Sequence, residues 1–450
     1  MINYELKPTF DNLKKTLLED SIGRNEGIAN FIKFLNLTDN NIVIALNDDW
    51  GNGKTFFVKQ TQMVLQSYDE SKDELKDIRQ CMSKFFQGNE VKPYFPVYYD
   101  AWANDNDEDP VLSIVFTMLQ SIGDLKKYEV IDGKNGWDIF TSGLEVLTTT
   151  FARTRVKDFL DSLKGKDGLA GIKEIKATEQ VLNEIFDVLL KKYPDGTRIV
   201  FFIDELDRCC PNFAVRSLER IKHYFLNEKV IFVLSINAME LQHTIKRHYG
   251  NDFNADKYLR RFFDFMIPLP SVDMAKYYKS ISFDDDNKAR YHIAGIVIKQ
   301  YNFSLREIVR YLQYMEVAVL KKYNSDYQPK FSFYIEVLIP FMIGLSIHDL
   351  KKYNDFVRGE NFSDFVEIMQ KSRPDWYCRR LLNENKETFE KKYQNNRSLV
   401  SLSERFKPVY DCLFGNNNVS SVEISGDTIY PKDRELIMEI ISLMKASQNS

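Results

Sequence analysis

The chain has 450 residues, 44% of them hydrophobic and 28% charged. That length implies two or three domains rather than one core, and the hydrophobic fraction excludes wholesale disorder. Lys+Arg 61 against Asp+Glu 65 gives a formal net charge of −4, which excludes a generally basic nucleic-acid binder and leaves only a local basic patch open.

The five cysteines, Cys81, Cys209, Cys210, Cys378 and Cys412, fit neither a disulfide ladder nor a zinc site. A reducing compartment is the simplest expectation. No apolar run follows Met1, so no signal peptide is expected. An uncharged apolar stretch of about 18 residues is not found. The nearest approach, residues 139–152, is short and holds Glu145. A soluble, cytoplasmic chain without a transmembrane segment is expected.

Residues 1–40 read as an N-terminal helical segment. Apolar residues recur at three- and four-residue spacing over Phe10–Leu18 and Ile28–Leu35, with Gly23-Arg24 between. The β-branched run Asn41–Leu46 predicts a buried strand, followed by a glycine-containing turn and a helix over Thr55–Leu65. Tyr94–Tyr99 predicts a second strand, ending in Asp100-Ala101-Trp102. A soluble insertion is expected at about 105–178. It opens on an acidic run (Asp105, Asp107, Glu108, Asp109) and contains Lys164–Lys176, read as a flexible loop. A helix over Val181–Leu190 precedes the strand Arg198–Ile203, which ends at Asp204. A helix over Phe213–Leu226 and the strand Val230–Ile236, ending at Asn237, follow. This alternation argues for an α/β fold over residues 41–270, a parallel sheet flanked by helices. After Pro268-Leu269-Pro270 the pattern predicts an all-helical C-terminal region over 271–450, with helices at about 290–300, 304–323, 330–346, 360–371 and 434–446.

Trp50-Gly51-Asn52-Gly53-Lys54-Thr55 lies between the first strand and its helix. A phosphate-binding loop needs glycines so that successive N–H groups face the anion, a lysine for the β/γ-phosphates, and a Ser/Thr hydroxyl for magnesium. Gly53, Lys54 and Thr55 fit this pattern, and Asp48 stands where the motif has its first glycine. Aspartate enters the left-handed region more readily than most residues, so the loop is expected to form, with phosphate affinity lowered by the carboxylate. The plain alternative is a chance Gly-Lys-Thr turn.

The site also needs an acidic residue at the tip of a neighbouring parallel strand. Asp204 would hold the magnesium ion, and Glu205 would polarise the attacking water. The alternative is an N-cap aspartate beside a solvated glutamate. Asn237, at the next strand's end, either senses the γ-phosphate or caps the following helix. Arg208, the Arg260-Arg261 pair, and Arg306 with Arg310 are candidate guanidinium donors, at least one facing nucleotide in the same chain or a neighbour's. Singly, each also reads as a surface salt bridge.

Taken in order, these pieces resemble the KAP family of P-loop NTPases, within the wider STAND class. The matching segments are Trp50–Thr55, Tyr98–Trp102, the acidic string Ile203-Asp204-Glu205-Leu206-Asp207-Arg208-Cys209, Val230–Asn237, and Lys257–Phe262 running on to Pro270. Ser304–Arg310 is a weaker counterpart of the family's arginine-bearing helix. The resemblance covers about residues 20–315. It implies a P-loop NTPase core with ATP and Mg2+ as cofactors. The nucleotide would be held by Trp50, Gly51, Asn52, Gly53, Lys54, Thr55, Phe56 and Arg306. Magnesium would be held by Thr55 and Asp204. Catalysis would fall to Glu205, Lys54, Arg208, Arg260, Arg261 and Asn237. Two departures stand out: Asp48 in the loop, and the absence of the transmembrane helices that many members insert between the two motifs.

The resemblance implies ATP hydrolysis coupled to a conformational switch, with phage exclusion or defence a role of bacterial members, and a homo-oligomer or a partner effector as its target. A second reading is a low-turnover, nucleotide-dependent scaffold. A third is a DNA-stimulated ATPase, with Lys164–Lys176, Arg216, Arg220 and Lys222 as a basic face. His243 and His248 show no metal spacing, and no Ser-His-Asp or Cys-His set stands out.

Overall fold

The computed structural model of the protein describes residues 6–122, 142–143, 147, 168–225, 227–283, 289–320, 329–371, 399–415, 419–424 and 427–446. Two compact units form, one spanning Lys7–Tyr277 and one that includes Tyr278–Ser450.

The first unit opens with helices α1 (Phe10–Glu19) and α2 (Asn25–Asn36), then strand β1 (Ile42–Asn47) and helix α3 (Lys54–Ser67). Helix α4 (Lys76–Phe86) and strand β2 (Tyr94–Asp100) follow, then α5 (Pro110–Ile122), α6 (Gly168–Leu190) and β3 (Arg198–Asp204). Helix α7 (Pro211–Tyr224), strand β4 (Val230–Ile236), helices α8 (Ala238–Tyr249) and α9 (Ala255–Leu259), and strand β5 (Phe265–Pro268) complete the sheet layer, before α10 (Met274–Ser280).

All strand pairs are parallel, in the order β2-β3-β4-β1-β5. Helices cover both faces, which is why β1, β3 and β4 read as unbroken apolar runs rather than alternating ones. Val43, Ala45, Val97, Tyr99, Phe201, Ile203, Phe232 and Leu234 share one core with α5, α6 and α7. Phe201 stacks on Phe232 with centroids 5.0 Å apart. At the edge, β5 is short, leaves Phe265 and Met266 half exposed and ends in Pro268, a residue tolerated where no further strand needs an N–H.

The topology corrects one expectation. The acidic tip does not sit on a neighbour of the loop-bearing strand. β4 lies between β1 and β3 and pairs with both. Asn237, just past β4, therefore sits between the phosphate loop and Asp204.

Other boundaries differ for local reasons. Pro211 at the first turn starts α7 two residues before the expected helix, since its fixed φ suits that position. The expected loop Lys164–Lys176 is helical from Gly168 onward, as the start of α6, and residues 164–167 lie outside the described set. Helix α4 was not expected, although Ile78, Met82 and Phe86 fall four residues apart on its buried face.

In the second unit, α11 (Ala289–Gln300) and α12 (Leu305–Leu320) precede α13 (Pro329–Phe333), a π-turn at Tyr334–Leu338 and α14 (Ile339–His348). Helices α15 (Leu350–Val357), α16 (Ser363–Lys371), α17 (Leu399–Leu413) and α18 (Asp433–Ala446) follow. The described residues of this region are helical as expected, with one addition among them: an antiparallel ribbon of β6 (Val422–Ile424) and β7 (Asp427–Ile429). Its aromatic core includes Phe333 stacked on Phe406 at 5.9 Å, and Phe356 against Tyr410 at 4.9 Å. Gly344 of α14 permits close packing on α11, because a Cβ there would come within 2.2 Å of Val297.

Among the described residues one helical stretch, Lys330–His348, is long and apolar enough to cross a membrane, although it holds Glu336 and so is not an uncharged run. Within the unit 61% of it is buried, so its apolar surface packs against α11, α12 and α15 as a core helix does.

Candidate functional site

The phosphate loop joins β1 to α3. Gly51 and Gly53 take φ of 89° and 84°, a region open to glycine at little cost. Asp48 is not left-handed, so the expected left-handed aspartate is replaced by another arrangement. Its Oδ1 accepts from Asp49 N at 2.8 Å and from Asn52 Nδ2 at 2.9 Å, bracing the loop from within. Gly53 begins α3 without a side-chain cap, and the first turn carries no acidic residue. The first N–H groups of that helix are therefore available to an anion, and its dipole favours one.

Lys54 is 9% exposed. Its Nζ donates to the carbonyls of Asp48 at 2.6 Å and Asp49 at 2.9 Å. Burial lowers its pKa, while Asp207, Asp48 and Asp204 pull it back up. Thr55 is half-buried in the first turn beside it, whereas the Phe56 side chain is buried, leaving its backbone N–H as its contribution to the cradle.

Across β4, Asp204 is 1% exposed. Tyr98 Oη donates to Oδ2 at 3.1 Å, and the N–H of Glu205 donates to Oδ1 at 3.1 Å. Burial, and then the charge of Asp204, hold the Tyr98 phenol far above its usual value, so it stays a donor. Ser235 pairs in register with Asp204, and paired residues on adjacent strands face the same way about 4.8 Å apart. Its hydroxyl is fully buried and has no hydrogen-bond partner among the described residues. A carboxylate, the Thr55 hydroxyl and an orphaned buried hydroxyl are oxygen groups of the kind magnesium and its waters take. The residues fit the cation that the loop implies.

Glu205 has φ 60° and ψ 25°, a left-handed backbone uncommon for a glutamate. Burial raises its pKa, against the pull of Arg208. The Arg208 Nη1 lies 3.0 Å from Oε1 and 3.1 Å from Oε2 of Glu205. Asp207 is buried and accepts from Trp50 Nε1. Burial raises its pKa too, and the indole hydrogen bond opposes that shift.

Of the two roles left open by the sequence for Asn237, its contacts show the helix cap. Its Oδ1 caps α8 through Met239 N at 3.1 Å and Glu240 N at 3.3 Å, and its Nδ2 reaches Asp49 Oδ1 at 3.3 Å. Lys54, Thr55, Asp204, Glu205, Arg208 and Asn237 thus gather at the C-terminal edge of the sheet, where open α/β sheets hold ligands. Arg260 and Arg261 are exposed just after α9, and Arg260 pairs with Asp256 at 3.0 Å. Arg306 is exposed on α12 of the second unit. Arg220 is engaged by the buried Asp109 carboxylate at 3.3 Å and donates to Tyr224 Oη at 2.8 Å, which takes it out of a free basic face.

Sequence reasoning missed Arg24. It is 5% exposed, and its Nε donates to Pro270 O at 2.8 Å while Nη1 reaches Gly53 O at 3.4 Å. Burial lowers its pKa to about 10, although Asp48 favours the charge. Gly23 places it there. With φ 72°, its ideal Cβ would meet Asp273 Cβ at 2.4 Å. The Gly-Arg pair carried the signal but read only as a helix separator. Tyr98, Ser235 and the Trp50–Asp207 bond were also not anticipated.

Comparison with curated proteins finds no match. The KAP family P-loop domain matches residues 24–320, a span that starts at the buried Arg24 and contains the loop, the acidic tip and Asn237. The chain therefore belongs to the KAP family of P-loop NTPases, a nucleotide-binding family.

Proposed function

We propose that the protein binds ATP with magnesium at the β1–α3 loop, hydrolyses it, and uses the cycle as a conformational switch. The observation that supports this reading most strongly is the pairing of two groups across β4: the buried Lys54 ammonium on the loop and the buried Asp204 at the tip of β3, with the half-buried Glu205 next to it. Lys54 Nζ exchanges the carbonyls of Asp48 and Asp49 for β- and γ-phosphate oxygens, and the first N–H groups of α3 face the same anion. Thr55 and Asp204 would hold the magnesium ion, with Tyr98 fixing the carboxylate. When bound, that ion supplies neutralisation of phosphate charge. Glu205 orients the attacking water and takes its proton as the bond from the γ-phosphorus to the β–γ bridging oxygen breaks, giving ADP and phosphate. Lys54→Ala is expected to lose nucleotide binding, and Glu205→Gln to bind ATP while losing most turnover. Wild-type hydrolysis by Lys54→Ala removes the proposal.

The low-turnover scaffold remains the second reading, favoured by the Glu205–Arg208 pair, which leaves the base neutralised. A steady-state phosphate-release assay separates them, since the scaffold binds ATP without sustained release. The switch reading extends to antiphage defence, acting on a homo-oligomer or a partner effector. Its test is a host carrying Lys54→Ala: loss of phage protection supports the extension and undiminished protection removes it.

A further inference from the structure

The four residues Trp50, Trp102, Glu205 and Arg208 form a connected group. The Arg208 guanidinium carbon lies over the Trp102 ring at 5.5 Å and over the Trp50 ring at 6.0 Å. One of its nitrogens sits within 3.1 Å of both Glu205 oxygens. Trp50 belongs to the phosphate loop, and its indole nitrogen is bonded to Asp207, the residue before Arg208. Trp102 stands two residues past the end of β2. Both indoles are exposed, at 42% and 52%, although they flank a charged group beside the candidate base.

This arrangement separates two kinds of contact. Indole faces attract the guanidinium through its plane, whereas carboxylates and phosphates are bound through its in-plane N–H groups. Arg208 can therefore change its in-plane partner while the rings keep it in place. Glu205 offers one negative charge, and a terminal phosphate offers more charge and the same fork geometry. Trp50 lies four residues before Lys54, so its ring keeps Arg208 beside the phosphate loop.

We propose that Arg208 is exchanged from Glu205 to the γ-phosphate of bound ATP, with Trp50 and Trp102 holding the guanidinium through the exchange, so that the base is freed only when a triphosphate is present. The proposal rests on the ATP reading and adds its regulation. Without a γ-phosphate the Arg208–Glu205 pair persists and the water-activating carboxylate is occupied. With one, Arg208 stabilises charge on the transferring group and Glu205 is left to accept the proton.

The two indoles report the exchange directly. Trp137 and Trp376 are the remaining tryptophans of the chain. In a Trp137→Phe/Trp376→Phe chain the emission of Trp50 and Trp102 is followed on adding magnesium with ADP or with a non-hydrolysable ATP analogue, and binding of each is measured in parallel by equilibrium dialysis. The expected result is an emission shift with the analogue and none with ADP at equal occupancy, and loss of that shift in Arg208→Gln while the analogue still binds. Equal shifts with both nucleotides, or a shift unchanged in Arg208→Gln, overturn the exchange. The same comparison on the wild-type chain needs no variant to fold. Failure of both nucleotides to bind overturns the ATP reading and the exchange together, whereas binding without a differential shift overturns the exchange alone.

Discussion

The indole nitrogen of Trp50 donates to Oδ2 of Asp207, joining the phosphate loop to the turn that presents Glu205 and Arg208. The two residues stand 157 positions apart in the chain. Asp207 is buried, so loop and acidic turn meet at one buried carboxylate. Trp50→Phe keeps a ring over Arg208 but leaves that acceptor short of a donor. The expected cost is about 1–3 kcal/mol in denaturant unfolding, because a buried charged acceptor loses a partner. Asp207→Asn in the same background should recover part of it, and a double-mutant cycle giving zero coupling would refute the link.

Arg24 forks between Pro270 and Gly53, tying the segment after β5 to the loop. Arg24→Ala strips two carbonyls of a charged donor. ATP affinity should fall about tenfold, a loss near 1.4 kcal/mol and within the range for one such hydrogen bond. Arg24→Lys keeps the charge but not the fork and should fall between. An isothermal titration giving wild-type affinity for Arg24→Ala would remove this role.

Asp48 places a carboxylate at the loop that faces phosphate. Asp48→Gly removes that charge and restores the glycine of the usual motif, at the expense of the brace to Asn52. Charge repulsion at this range is worth about 1 kcal/mol or more, so ATP should bind roughly fivefold more tightly. Weaker binding by the variant would mean that the brace outweighs the repulsion.

Ser235 carries a buried hydroxyl that has no partner among the described residues, beside Asp204. Ser235→Ala deletes an unsatisfied polar group and should raise stability by about 1 kcal/mol in the absence of magnesium. With magnesium and nucleotide present that gain should vanish, because the hydroxyl then has a water to bind. Thermal unfolding with and without the cation reads both, and an equal gain in the two conditions contradicts the placement of Ser235 at the cation.

The strands that carry the site were legible because both their faces are covered, which leaves β1, β3 and β4 apolar along their whole length. Their order was not. Similar apolar runs carry no mark of which lies beside which, and so the insertion of β4 between β1 and β3 went unread. The loop and the acidic string were legible because each is contiguous. What joins them is not: Trp50 to Asp207, Tyr98 to Asp204 and Arg24 to Gly53 are contacts between distant segments. Arg208 and Glu205 are only three residues apart, yet the 3-10 turn that brings them together depends on a left-handed Glu205 that its residue type does not announce.

The central claim is tested most directly by titrating magnesium-ATP into the wild-type chain and into Lys54→Ala, with heat of binding as the readout. A saturable signal of one nucleotide per chain in the wild type, absent from a folded Lys54→Ala, is expected. Equal binding by both chains would contradict the account, since the buried ammonium facing Asp204 across β4 would then not be what grips the phosphates.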